Sequence, residues 1–203
     1  GTACTGLHGA GLLPGNLVLD ALTSGRAAGA SAAAWLVDQP HAGSKAVASA
    51  VEEAEADLAA MMAPAEGDGG VVRTGAVTSA VSALISSTFD GGTSADELES
   101  ALAQIETLAL AAEALHLDDT SLVANANFEA ALAAQHGVQL GRAMLQSALS
   151  RTESRGVHVR HDHPDTDAEQ MHHTLISADG TTDTLAVRKG VSGHWVLAPA
   201  ESA

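Results

Sequence analysis

The sequence predicts a mainly α-helical protein, with a body of about four helices between a loop-and-helix entry and a short β-ribbon. Apolar residues recur at spacings of three and four over five segments, which is typical of amphipathic helices. Residues 1–16 hold five glycines and a proline, so no helix or strand of ordinary length fits there. After residue 152 the helical pattern stops, and the runs HTLIS, DTLAVRK and HWVLAP predict two or three short strands.

The helical segments are separated by glycine, proline and polar runs. We place them at 17–36, 46–62, 74–87, 95–115 and 126–150. Asn16 is the predicted N-cap of the first helix, and Ser94 with Glu97 predicts a capping box on the fourth. The second helix carries an apolar stripe that we expect to face inward: Val47, Val51, Ala54, Leu58 and Met61. Four glycines inside helices predict close approach of a neighbouring backbone: Gly25, Gly29, Gly137 and Gly141.

Composition excludes several classes of protein. The chain has 203 residues, and 25 acids against 9 bases give a formal charge of −16, which argues against binding a phosphate backbone. No run of 18 apolar residues is present, and a single cysteine excludes an intrachain disulfide framework. The chain opens at Gly1 inside a loop-like sequence, without an initiator Met, so we expect it to be a piece of something longer.

Arginines are concentrated in one stretch. Residues 142–160 hold four of the nine bases against one acid, Glu153. The planar guanidinium of Arg binds two oxygens of a carboxylate or phosphate at once. Two interpretations stay open: the arginines pair with acidic helices, or they line a site for an anion. For Arg155 and Arg160 we predict acidic partners from the acid-rich segment 95–115, at the seam between the helical body and a neighbouring domain.

No group of residues predicts catalysis or metal binding within this chain. Cys4 and Ser154 lack a local frame that would hold a base beside them. The loop histidines and aspartates are of the right residue types for metal ligands, but their spacing matches no tight zinc pattern: His161, Asp162, His163, Asp165, Asp167, His172 and His173. The helix start behind the glycine-rich loop is more informative, because its free N–H groups stabilise negative charge or a polarised carbonyl oxygen.

Two blocks of sequence resemble the flavoprotein subunits of succinate dehydrogenase and fumarate reductase. The run SALSRTESRGVHVRHDHPDTD, followed by HTL, is similar to the C-terminal signature of that family. It keeps Ser147, Ala148, Leu149, Arg151, Glu153, Ser154, Arg155, Gly156, His158, Arg160, Asp162, Pro164, Asp167, His173, Thr174 and Leu175. Upstream, HGAGLLPGNLVLDALTSGRAAG resembles the family's H-G-A-N-R-L-G-x-N-S-L-L-D stretch and keeps His8, Gly9, Ala10, Leu13, Asn16, Leu19, Asp20, Gly25, Arg26, Ala28 and Gly29. The related L-aspartate oxidases share both blocks.

The resemblance implies an FAD-dependent oxidoreductase. Residues 1–37 would be the last segment of a Rossmann-like FAD domain, 38–156 the helical C-terminal domain, and 157–203 a polar loop and β-ribbon tail. By motif position, Asn16, Leu17 and Val18 would contact the pyrimidine end of the flavin, and Gly15 and His8 would contact substrate. The implied partners are N-terminal FAD-binding and capping domains, an iron–sulfur subunit and a dicarboxylate. We expect a cytoplasmic protein, with membrane association only through partner subunits.

The sequence also departs from the family pattern. The family's Arg that binds a dicarboxylate is replaced by Leu12, its neighbouring Asn by Gly11, and the Ser of N-S-L by Leu17. A Glu that is usual ahead of this block aligns with Gly1. The dinucleotide fingerprint and the capping domain are absent from these residues, so this chain alone is not expected to transfer a hydride. Two alternatives therefore stay open: a non-catalytic helical interaction module and an L-aspartate oxidase-like enzyme.

Overall fold

The computed structural model divides the chain into two compact units, residues 1–60 and 61–203. It describes residues 6, 8–11, 14–39, 43–62, 73–115, 117, 119, 121, 123–189 and 195–197, and at 188–189 and 195–197 only the backbone. The boundary between the units lies within the second helix, whereas the domain limits at 37/38 and 156/157 rest on sequence motifs and stay predictions.

The helices and strands of the described residues follow the predicted order. They are α1 (Asn16–Leu36), α2 (Ser44–Met62), α3 (Thr74–Thr88), α4 (Ala95–Glu113), α5 (Ala126–Ser150), β1 (His172–Ile176), β2 (Thr182–Lys189) and β3 (Trp195–Leu197). The mainly helical fold with a terminal β-ribbon is thus confirmed. None of the described helices is both long and apolar enough to cross a membrane.

The first unit consists of the entry loop, α1 and most of α2. Neither helix has a buried residue, and Val47 and Val51 of the predicted inward stripe on α2 are half exposed. The inward assignment is therefore wrong for Val47 and Val51, whereas Met61, at the end of the same stripe, is partly buried and packs against the hydrophobic core of the second unit. No described atom lies within 4 Å of the position that a Cβ would take at Gly25 or Gly29, so the close approach predicted there is not observed.

The second unit is built on α3, α4 and α5, which contact one another around one hydrophobic core. Val77 and Val81 of α3 and Leu98 and Ile105 of α4 are buried, as their periodicity predicts. On α5 the buried stripe is mostly small, and it consists of Ala131, Ala134, Val138, Gly141, Leu145 and Ala148. Small side chains let the other two helices approach the α5 backbone, which closes a core that contains few large residues.

The glycines of α5 differ in their surroundings. A Cβ at Gly141 would lie 3.1 Å from Ile105 Cδ1 and 3.4 Å from Ile85 Cδ1, which confirms close packing there. At Gly137 no described atom lies within 4 Å of that position, so the prediction is wrong for this residue. Of the two glycines, Gly141 is the one that faces α3 and α4.

The β-ribbon follows α5 after a polar loop. Its strands form an antiparallel sheet in the order β1-β2-β3, with His172 opposite Ala186 and Ile176 opposite Thr182. Both β1 and β2 contact α5, so the ribbon belongs to the same packed unit as the three helices. The turn between β1 and β2 is closed by the Ser177 and Thr181 backbones, as the run ADGTTD predicts.

Candidate functional site

Glu153 occupies the centre of the polar loop that follows α5, which we call the signature loop (residues 151–167). Its side chain is fully buried. Oε1 accepts hydrogen bonds from Arg151 Nε at 3.0 Å and from Arg155 Nε at 2.9 Å, and Oε2 accepts from Arg155 Nη2 at 2.9 Å and from the Asp167 amide at 2.8 Å. Burial opposes the charged carboxylate, but the bonds from Arg155, Asp167 and Arg151 outweigh it and lower the pKa of Glu153 to about 2.

The two arginines bound to Glu153 extend the network into neighbouring backbone. Arg151 donates from Nη1 to the His172 carbonyl at 3.1 Å and from Nη2 to the Gln170 carbonyl, which fastens the loop to the start of β1. Arg155 Nη2 donates to the Asp167 carbonyl at 2.7 Å, and the ion pair with Glu153 raises the pKa of Arg155. A single buried carboxylate therefore joins both ends of the loop.

Arg160 is the second centre of the loop. Its side chain is only 1% exposed, and its Nη1 donates to the Ala148 carbonyl at 3.1 Å and the Arg151 carbonyl at 2.9 Å, at the C-terminal end of α5. Cations are favoured where a helix ends because the last carbonyls lack intrahelical partners. Asp162 binds the same guanidinium through both oxygens, and its Oδ2 also accepts from the Ala95 amide at 3.0 Å, at the N-terminal end of α4.

The arginine prediction is therefore confirmed in its main part: both Arg155 and Arg160 have carboxylate partners. The expected source of these partners is wrong, because the carboxylates belong to the loop itself and not to the segment 95–115. Glu153 lies two residues from both Arg151 and Arg155, and Asp162 lies two residues after Arg160, so each carboxylate binds an arginine that is close to it in the same loop. The acidic helix α4 instead pairs with Arg142 of α5, where Nε and Nη2 bind the two Glu106 oxygens at 2.6 and 2.5 Å.

The hydroxyl of Ser154 has a structural position. It accepts from the Arg160 amide and donates to the His163 carbonyl, both at 2.8 Å. Its hydrogen-bond partners among the described residues are backbone groups, and none of them is an imidazole that could act as a base. Burial lowers the pKa of His158, which favours the neutral imidazole. Within the described part of the chain, no group of three or more His, Cys, Asp or Glu side chains is arranged to hold a metal ion.

In the first unit, helix α1 begins directly after a left-handed glycine. Its N-cap is Gly15, with a left-handed φ of 86°, and not Asn16 as predicted, because glycine adopts that conformation without strain and Asn16 lies within the first turn. The first helical bond runs from the Leu19 amide to the Gly15 carbonyl at 3.3 Å. The amides of Asn16, Leu17 and Val18 have no acceptor among the described residues, and the Leu17 and Val18 side chains are 55% and 66% exposed.

His8 lies in the loop that precedes α1. The loop is held by bonds from the Gly9 amide to the Gly6 carbonyl at 3.0 Å and from the Gly11 amide to the His8 carbonyl at 3.4 Å. His8 Nε2 lies 3.4 Å from Asp20 Oδ2 of α1. Of the sequence-predicted site residues, the structure thus places His8 beside α1, and it places Gly15, Asn16, Leu17 and Val18 together at the helix start. Cys4, Leu12 and Gly1 lie outside the described residues.

Sequence reasoning did not predict the roles of two residues that organise the second unit. Glu153 and Asp162 were named as residues of the family signature, but their ion pairs with arginines of the same loop were not predicted. The signal for both was their position two residues from an arginine in a segment with no helical pattern. Thr93 was also missed: its backbone pairs with Val159 and His161 at 3.0 and 2.8 Å and holds the signature loop against the turn before α4.

Comparison with known proteins identifies the family. The family model described as "Fumarate reductase flavoprotein C-term" matches residues 92–201, which contain α4, α5, the signature loop and the β-ribbon. An L-aspartate oxidase of Rhodospirillum rubrum is 34% identical over 84% of this chain and 50% of its own length. A succinate dehydrogenase flavoprotein subunit of Rickettsia bellii is 28% identical over 87% of this chain and 29% of its own length.

Solved structures share the fold. The Mycobacterium smegmatis Sdh1 complex in the apo form superposes with a TM-score of 0.68 at 23% identity, over 90% of this chain and 29% of that one. An E. coli quinol fumarate reductase superposes with a TM-score of 0.63 at 20% identity, over 73% of this chain and 26% of that one. The chain belongs to the succinate dehydrogenase and fumarate reductase flavoprotein family, which here includes L-aspartate oxidases. It spans between about 29% and 50% of the length of these two sequence relatives.

Proposed function

We propose that this chain is the C-terminal portion of an FAD-dependent oxidoreductase that acts on a dicarboxylate. In the intact protein a hydride would move between the flavin and a C–C bond of the substrate, and electrons would pass to an iron–sulfur partner. Family membership supports a flavoprotein of the oxidoreductase class. The substrate, the hydride transfer and the partner are our proposal, because the chain spans no more than about half of the relatives named above.

The observation that carries the proposal is the open start of α1. Three consecutive amides, of Asn16, Leu17 and Val18, lack protein acceptors in the described part of the chain, and the first turn of α1 contains no acidic side chain. A carbonyl oxygen or an anionic nitrogen is the complement to such a donor set. The polar edge of the flavin pyrimidine ring has both, so these residues fit FAD, which when bound would supply two-electron redox chemistry.

These residues would act on the cofactor through their backbone. The N–H groups at a helix start stabilise negative charge nearby, because the helix dipole adds to their own hydrogen bonds. Gly15 has a left-handed φ of 86°, which side-chain-bearing residues rarely adopt. Because glycine has no side chain, it leaves the approach of a cofactor to these amides open. His8, which lies beside the same helix, is the candidate side-chain contact to the substrate.

The side chains of α1 support a further role as a docking face for the FAD domain. The helix has no buried residue, and Leu17, Val18, Leu19 and Leu22 are all more than half exposed. Val18 and Leu19 lie four and three residues before Leu22, so these three side chains form an exposed apolar face of the kind that another part of a protein covers. We propose that the FAD-binding domain provides this cover.

A specific departure favours a second candidate substrate. Leu12 stands where the family has an Arg that binds a carboxylate, and losing such a charged contact in a dry site costs roughly 2–5 kcal/mol. The 34% identity to the Rhodospirillum rubrum L-aspartate oxidase supports an amino-dicarboxylate substrate as the alternative.

Together, the departures at Leu12 and Gly1 favour a third candidate function, a non-catalytic helical interaction module that keeps the family's packing motifs.

The cofactor is tested on the complete coding sequence that contains this chain. We expect the purified protein to be yellow, with flavin absorbance, and Val18→Glu to lose most of this flavin. A carboxylate in the first turn stabilises a helix by itself, so the loss would reflect repulsion of the cofactor and not unfolding. Ser31→Glu, on the exposed second half of α1, is the matched control and should keep its flavin.

The substrate is tested with the same protein. Oxidation of succinate, reduction of fumarate and oxidation of L-aspartate are assayed in parallel on the wild type and on Leu12→Arg. If Leu12 weakens dicarboxylate binding, the arginine variant lowers the KM for a dicarboxylate. A folded, colourless protein that takes up no added FAD would overturn the enzyme proposal and leave the interaction module.

A further inference from the structure

A histidine and an aspartate of the first unit form a pair across the entry loop and α1. His8 Nε2 lies 3.4 Å from Asp20 Oδ2, and the two side chains are 23% and 13% exposed. Most of the first unit is far more open, since neither of its helices buries a residue. His8 Nε2 itself is closed off from solvent and has no acceptor or donor that satisfies hydrogen-bond geometry among the described residues.

A buried imidazole nitrogen without a partner is costly. An unsatisfied buried polar group destabilises the fold, and the carboxylate oxygen 3.4 Å away is the available partner for it. Since a carboxylate only accepts, the pairing requires the proton of a neutral imidazole to sit on Nε2. The other ring nitrogen, Nδ1, is then an acceptor, and this fixes which edge of the ring can take part in chemistry.

The fold places both partners by short-range geometry. Asp20 lies four residues after Asn16 in α1, so its side chain shares the face of the helix on which the open amides begin. His8 is fixed by the Gly6–Gly9 turn, in which Gly9 has a left-handed φ of 56°. A short polar tie between the loop and α1 therefore stands close in sequence to the predicted cofactor contacts.

We infer that Asp20 is a positioning residue that fixes the tautomer and orientation of His8 at the candidate substrate site. This inference deepens the proposed function and rests on it for the role of His8. A purely structural tie between the loop and the helix would hold the imidazole ring in place in either tautomer. Measuring the His8 tautomer and the turnover of the intact protein therefore distinguishes a positioning role from a structural one.

The first measurement uses the 203-residue chain and the ¹⁵N shifts of the His8 imidazole, assigned with His8→Gln. We expect Nε2 to carry the proton in the wild type, Asp20→Asn to shift the population toward the Nδ1–H form, and Asp20→Glu to restore the wild-type signal. Asp38→Asn removes an exposed carboxylate just after α1 and is the matched control, which should leave the signal unchanged. Identical shifts in the wild type and Asp20→Asn would overturn the inference.

The second measurement uses the complete flavoprotein. Asp20→Asn should keep its flavin but lose turnover on the order of 10²-fold in kcat, the scale that misplacement of a reacting group produces, with KM little changed. Asp20→Glu should recover part of the loss. A tautomer change without any loss of kcat would overturn the positioning role. A colourless wild type would refute the proposed function, while the ¹⁵N result would still decide whether Asp20 sets the His8 tautomer.

Discussion

Arg160 and Asp162 form a bidentate ion pair that connects the ends of two helices. The guanidinium, 1% exposed, binds the two Asp162 oxygens at 2.8 and 2.7 Å and also donates to carbonyls at the end of α5. Asp162 accepts in addition from the Ala95 amide at the start of α4. One charged pair therefore satisfies polar groups at a C-terminus and an N-terminus that would otherwise lack partners.

Replacing Glu153 by Gln should strongly destabilise the second unit. The substitution leaves Arg151 and Arg155 without their shared carboxylate, and removing one partner of a buried ion pair costs roughly 3–5 kcal/mol. The contact between the loop and β1 should also weaken, because Arg151, which donates to the His172 carbonyl, loses the carboxylate that orients it. Urea unfolding of the 203-residue chain, followed by circular dichroism, measures the change in the free energy of unfolding.

The matched control for this substitution is Glu106→Gln. Glu106 also binds an arginine through both oxygens, but its side chain is 57% exposed. Exposed ion pairs contribute about 0–1 kcal/mol, so we expect a small change. Equal losses in the two variants would show that burial of Glu153 does not set its contribution.

Stability should fall with acid over a defined pH window. The pKa of Glu153 is about 2 in the folded protein, against an ordinary value of 4.5. A carboxyl with a lowered folded-state pKa stabilises the protein above its unfolded pKa, and this contribution is lost as the pH falls through the folded value. The pKa of Asp162 is lowered in the same direction, first by the hydrogen bonds from Arg160.

We therefore expect the free energy of unfolding to decline between about pH 4.5 and about pH 2. The measurement is a series of denaturant titrations on the wild type and on Glu153→Gln. The variant should show a shallower decline, because it lacks the group that binds a proton on unfolding. Parallel curves for the two proteins would assign the acid sensitivity to other carboxyls.

Asp162→Asn tests the link between the signature loop and α4. The variant loses the charge that pairs with Arg160 and weakens the acceptor for the Ala95 amide. We expect faster hydrogen exchange of that amide, with little change in the second half of α4. Asp165→Asn is the control, because Asp165 is exposed and contacts Ser154 only through its backbone carbonyl. Unchanged exchange at Ala95 in Asp162→Asn would refute the capping role.

Local signals account for the parts of the fold that the sequence predicts well. Helix positions follow from apolar periodicity and from turn residues, and Ser94 caps α4 by accepting from the Glu97 amide, as the motif indicates. Here the Glu97 carboxylate binds the Ser94 hydroxyl at 2.8 Å. These features depend on residues within one helical turn, so a single sequence contains the information they need.

Features that depend on distant partners could not be predicted in the same way. On α5 the large residues Leu140 and Met144 are exposed, while Ala131 and Ala134 are buried, because the approach of α3 and α4 selects the face with small side chains. Hydrophobicity alone favours the larger residues. For the candidate site, the motif led to the proposed loop and helix, which stay predictions, and it did not indicate the pairing of His8 with Asp20.

The glycines of α5 provide a test of this close packing. Gly137→Ala should stabilise the helix by up to about 1 kcal/mol, because no described atom lies near the new methyl group and alanine favours helix. Gly141→Val should destabilise the protein by about 1–3 kcal/mol, since its Cβ would lie 3.1 Å from Ile105 Cδ1 and the core would be overpacked. Thermal unfolding of both variants measures the difference. Similar effects at the two positions would contradict the assignment of Gly141, and not Gly137, to the helix interface.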